Sequence, residues 1–126
     1  MGITLYLAAF SAIAIGVVHS VLGERYILTR LFRRNDLPKL FGGTEFTTRT
    51  LRFAWHITTV AWFGFAAVLV LLASDNVTQH SIALVVGVTF LTTAALTAGI
   101  SRAKHLAWLV FLFIGCSSLY AAFFIK

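Results

Sequence analysis

From Ile3 to Leu22 the chain runs twenty residues without a charge. As a helix, at roughly 1.5 Å per residue, that is about 30 Å, the thickness of a bilayer's hydrocarbon core. Three further stretches of the same kind follow, at about 52–73, 82–100 and 105–125. With 60% apolar residues and a mean hydropathy of +0.93, the chain lies far outside the range of soluble domains. The reading is a single domain, residues 1–126, of all-α integral membrane protein. Short connections predict an antiparallel up-and-down bundle of four transmembrane helices in which sequential helices are neighbours.

The segments between the spans define its two ends. Gly23 to Arg34 keeps Ile27, Leu28, Leu31 and Phe32 near one side and Arg25, Arg30, Arg33 and Arg34 on others, the pattern of a short interfacial amphipathic segment. Asn35 to Thr48 holds the only proline, Pro38, with Gly42 and Gly43, and reads as the one real loop. Six basic residues lie between Gly23 and Leu51, Arg52 sits at the edge, and Arg102 and Lys104 occupy the turn at 101–104. The opposite side carries only Lys126. The positive-inside rule therefore expects an inner-membrane protein with the 23–51 and 101–104 loops cytoplasmic and both termini outside.

The net charge of +6 is concentrated in these connections. That favours the bilayer and its anionic headgroups as partners and argues against nucleic acid. The first span lacks a basic lead-in and a small-residue cleavage site, so it is expected to remain in the mature protein. Cys116 is the only cysteine, which excludes an intramolecular disulfide and a CxxC redox pair.

Topology then gathers residues that sequence spacing leaves far apart. His19 lies near the cytoplasmic end of the first span, His56 near the start of the second and His105 at the start of the fourth, with Glu24 just beyond the first. His80 falls at the other end. Ionisable groups in a membrane span usually face protein and have partners. Imidazole is a good ligand for zinc, iron or copper, so His19, His56 and His105 are candidate metal ligands. Glu24 is the candidate catalytic base; it is about 140° from His19 on a straight helix and joins the shell only if the chain bends at Gly23. Arg25, Arg49, Arg52 and Arg102 are candidates for holding a phosphate, a substrate carboxylate or a propionate.

The function expected from these residues is a metal-dependent enzyme acting on a membrane-borne substrate. One alternative is a haem b-binding or quinone-reacting electron-transfer subunit, with two histidines as axial ligands and arginines on the propionates. Bulky Phe53, Trp55 and Trp62 argue against a haem slot. Another alternative is a small transporter working as a homo-oligomer, or a structural accessory subunit whose histidines are interfacial residues. Ala8, Ala12, Gly16 and Ser20 recur every four residues and would let a second helix approach the first closely. Thr89, Thr92, Thr93 and Thr97 are expected to hydrogen-bond to neighbouring helices.

Overall fold

The computed structural model describes residues 2–125. Helix α1 (Gly2–Leu22) continues through a π-helical segment, Gly23–Leu28, into a last turn, α2 (Thr29–Leu31). After the loop come α3 (Glu45–Ala73), α4 (Gln79–Ser101) and α5 (Ala107–Phe124). Four helices are long and apolar enough to cross a membrane: Gly2–Leu31, Glu45–Ala73, Gln79–Ser101 and Ala107–Phe124. The expected loop is shorter than its composition suggested, because α3 begins at Glu45, seven residues before Arg52. Arg49 pairs with Glu45 one turn earlier, a favourable carboxylate-first order that supports this added stretch of helix.

Sequential helices pack together in antiparallel pairs. Gly2 lies against Ala73, Gly16 against Thr59 and Phe63, and Gly23 against Trp55, so α1 runs down the length of α3. Gly64 meets Thr89 between α3 and α4, and Gly87 and Gly115 bring α4 and α5 close. A β-carbon at Gly115 would stand 2.9 Å from the backbone nitrogen of Leu91, so this approach needs glycine. No other pair of long helices comes into backbone contact among the described residues. The four therefore form an open row, α1 to α3 to α4 to α5, in which α1 and α5 are outer edges. Phe10 on α1 and Phe113 on α5 point outward and are largely exposed.

Small-residue spacing explains the α1–α3 seam, with one shift from expectation. Ala9 and Gly16 are buried and Ser20 half-buried, whereas Ala8 is exposed. Ala9, Gly16 and Gly23 are seven residues apart, a period that keeps one seam facing an antiparallel partner better than steps of four.

The threonines of α4 also behave differently from expectation. Thr89, Thr92 and Thr93 donate to the carbonyls of Val85, Val88 and Thr89 in their own helix. A short hydroxyl reaches the carbonyl one turn back more easily than a neighbouring helix. Thr97 is fully buried and its Oγ1 has no hydrogen-bond partner among the described residues. Thr97→Val, which keeps the shape and removes that hydroxyl, should stabilise the fold by about 1 kcal/mol. The midpoint of unfolding by SDS in mixed micelles measures this, and a loss of stability would show that the hydroxyl has a partner.

The helix ends are locally specified. Thr78 and Ser81 form a reciprocal cap at the start of α4: the Ser81 N–H donates to Thr78 Oγ1 at 2.9 Å and the Thr78 N–H to Ser81 Oγ at 2.8 Å. At its other end Arg102 and Ala103 both take left-handed backbone conformations, and the Ala103 N–H returns to the Ala98 carbonyl. That reversal sends the chain straight back into α5. In the first loop, hydrogen bonding by Arg34 holds the Asp36 carboxyl down to about 2. Any stability from this pair is present at neutral pH and fades as pH falls toward that value; both partners are solvated, which makes it small.

Candidate functional site

The loop end of the α1–α3 seam holds a connected set of polar side chains. Glu24 receives Arg52 in two-point fashion, with Nη2 2.9 Å from Oε1 and Nε 3.2 Å from Oε2. His56 Nε2 lies 3.1 Å from Glu24 Oε2, and its Nδ1 is 2.9 Å from Ser20 Oγ. Ser20 Oγ is in turn 2.7 Å from Thr59 Oγ1, whose hydroxyl reaches the Gly16 carbonyl at 3.1 Å. On α3, Arg52, His56, Thr59 and Phe63 follow one another at helical spacing and turn one face to α1. On the α1 side, Gly16, Ser20 and Glu24 are four residues apart and supply the matching face.

The Glu24 backbone takes part in the π-helical segment. Its carbonyl accepts from the Thr29 N–H five residues on and from the Thr29 hydroxyl at 2.6 Å. The wider turn opens at Gly23, where Trp55 lies directly over the backbone: a β-carbon at Gly23 would be 2.1 Å from the indole nitrogen. At Gly23 the chain changes helical register. Glu24 keeps the face of Ser20, four residues before it, while His19 occupies a different face.

His19 and Trp55 clasp the two helices beside this network. The indole N–H donates to the His19 carbonyl at 3.0 Å, and His19 Nε2–H donates to the Trp55 carbonyl at 3.2 Å. The rings stack with centroids 4.4 Å apart and nearly parallel.

His105 stands on the other side of α3. It packs against Phe46 and Phe53, and its Nδ1 accepts the Ala107 N–H at 3.3 Å. The shared depth of the three histidines did not bring them together, because in an open row α3 separates the start of α5 from α1. Glu24 and His56 meet; His19 and His105 are each engaged elsewhere. Among the described residues, no group of three or more His, Cys, Asp or Glu side chains is placed to hold a metal ion.

The four candidate arginines also divide. Arg52 is bound to Glu24 and lies over the Phe32 ring. Arg25 is exposed and stacks its guanidinium over Tyr26. Arg49 faces the loop with Glu45, and Arg102 is exposed at the α4–α5 turn. Ser20 and Thr59 are the members of the network that sequence reasoning did not single out. The available signal was a pair of matching faces, Ser20–Glu24 and Arg52–His56–Thr59.

Proton counting along this network allows two complete arrangements. With His56 neutral, Nε2–H donates to Glu24, Ser20 donates to Nδ1, and Thr59 donates to Ser20. With His56 cationic, both ring nitrogens donate, Ser20 turns its hydroxyl to Thr59, and Thr59 turns to the Gly16 carbonyl. Taking up one proton at the imidazole therefore reverses two hydroxyls and leaves no donor or acceptor stranded. Glu24 and Arg52 stay paired in both arrangements.

Neither a family model, a curated protein nor a solved structure matches the chain.

Proposed function

We propose that this is an inner-membrane protein, with cytoplasmic basic loops and outward termini, whose Glu24–His56 pair exchanges a proton with a membrane-borne substrate. The observation that supports this reading is an imidazole held through both nitrogens, by a carboxylate on one side and a two-hydroxyl chain on the other. Glu24 acts as acceptor and orients His56; Arg52 fixes Glu24. From Glu24 to Gly16 the chain is eight residues deep, about 12 Å at the helical rise, less than half of a hydrocarbon core of about 30 Å. Such a relay serves a substrate at the boundary rather than proton conduction across the membrane.

Ser20 as a nucleophile is the weaker reading despite its contact with His56. Acyl transfer needs donors aimed at a developing oxyanion, and the amides around Ser20 are inside α1. A metal ion is a second reading, supported by the approach of Glu24 Oε2 and His56 Nε2: zinc, iron or copper could take these two donors and complete its shell with water or substrate. Elemental analysis of wild type against His56→Ala tests it. The haem b alternative is weaker, since His56 has both ring nitrogens engaged and His19 uses Nε2 in its clasp.

Decylubiquinol and oleate are suitable first probes, because each is lipid-soluble and has a head group, a phenolic hydroxyl or a carboxylate, that can exchange a proton. In nanodiscs, one of them should alter tryptophan fluorescence saturably, through Trp55 beside the site. Glu24→Gln and His56→Gln should each weaken that binding about tenfold, a change of about 1.4 kcal/mol, with helix content unchanged. Saturable binding of neither probe, or equal binding by the variants, would return the network to a purely structural role.

A further inference from the structure

A second polar site lies across α3 from the Glu24–His56 pair. A cavity of about 450 Å³ opens between the first loop, the start of α3 and the end of α4. Arg49, Lys104 and Ser101 line it together with Glu45, and Leu40, Phe41 and Phe46 form apolar walls. Ser101 is 2% exposed, yet its hydroxyl has no hydrogen-bond partner among the described residues. Arg49 has a side chain only 14% exposed; one of its terminal nitrogens meets Glu45, and the other, Nη1, is buried without a partner.

Unpaired buried donors are costly to leave unmade, by about 1–3 kcal/mol each; Arg49 and Ser101 both line the cavity, so a small side-chain rotation would offer each donor to an acceptor-rich occupant there. Two cations against one carboxylate leave the site with one net positive charge. A guanidinium edge, an ammonium and a hydroxyl together suit the oxygens of a phosphate. Leu40 and Phe41 have large apolar surfaces open to the surroundings, and the Phe41 ring meets Phe46 edge to face. That wall suits the glycerol and upper acyl region attached to such a phosphate.

We infer that this cavity binds a phosphate group, with Arg49 Nη1, Lys104 and Ser101 Oγ as its donors, and that an anionic phospholipid is the source its apolar wall fits. The inference shares the membrane placement proposed above but uses none of the residues of the proton-exchange pair. Failure at either site can therefore be read separately.

The test uses the full chain in detergent, with native mass spectrometry after adding phosphatidylglycerol, phosphatidylcholine or inorganic phosphate. Wild type should retain one phosphatidylglycerol in preference to phosphatidylcholine. Retention should fall about tenfold in Arg49→Gln and at least about threefold in Lys104→Gln and Ser101→Ala, while Arg34→Gln and His56→Gln match wild type. Lys104 is exposed, so its variant keeps the test intact if Arg49→Gln fails to fold. Displacement of the lipid by millimolar phosphate, or binding of phosphate alone with the same variant pattern, would keep the site and assign it to a free phosphate. Equal retention of both lipids would overturn the inference in favour of generic apolar binding, and equal loss in Arg34→Gln and the three site variants would overturn it in favour of diffuse attraction to the basic loop.

Discussion

Gly23→Ala should destabilise the protein by about 1–3 kcal/mol, the range for forcing an extra carbon into a packed interior. A β-carbon there would fall 2.1, 2.4 and 2.7 Å from three atoms of the Trp55 indole. The indole is a rigid bicycle stacked on His19 and hydrogen-bonded to the His19 carbonyl, so it has no free end to swing aside. Relief requires either breaking the His19–Trp55 clasp or separating α1 from α3 where the π-helical segment begins. Both would also move Glu24, which is the next residue. SDS unfolding in mixed micelles reads the stability loss and the tryptophan emission maximum reads the displaced indole. An unchanged midpoint and emission maximum would mean that α1 and α3 are not in this close contact.

The second large effect is expected at Arg52. Removing one member of a buried ion pair typically costs 3–5 kcal/mol, because the remaining charge is stranded. Here the Arg52 and Glu24 side chains retain 39% and 37% exposure, so water screens them and Arg52→Gln should cost about 1–2 kcal/mol. The companion change Glu24→Gln removes the stranded charge. The double variant should therefore be more stable than the sum of the single losses predicts, by about 1 kcal/mol. Additive losses in the same unfolding measurement would show that the two side chains do not interact. The experiment separates the Arg52 clamp from the hydroxyl side of the network, because Ser20 and Thr59 remain in place throughout.

The helices were legible in the sequence because each is a long apolar stretch bounded by polar or glycine-containing segments. Their ends were less so: α3 starts at Glu45 because the Glu45–Arg49 pair and the threonines between them tolerate a helix that composition alone marks as loop. The depth of His19, His56 and His105 also followed from the order of the spans. Lateral position did not. Whether four antiparallel helices close into a ring or stay in a row depends on which faces carry glycine, and Gly64, Gly87 and Gly115 each specify a contact only between sequence neighbours.

Glu24 is about 140° from His19 around a straight helix, whereas the residue one turn before it on its own face is Ser20. Helical periodicity made that pairing visible. What periodicity could not supply was the partner: Arg52 and His56 become neighbours of Glu24 only once α1 and α3 have a register, and Trp55 resting on Gly23 sets it.

The most direct measurement of the proton-exchange proposal is the infrared difference spectrum of bound decylubiquinol or oleate, read at the head-group C–O bands, which differ between the protonated and the ionised probe. If His56 exchanges a proton with the substrate, those bands change on binding together with the ring modes of the imidazole. Wild type should show both changes for the probe that binds, and His56→Gln should show neither. A probe that binds wild type with no change in its protonation, or with the same change in His56→Gln, would contradict the account.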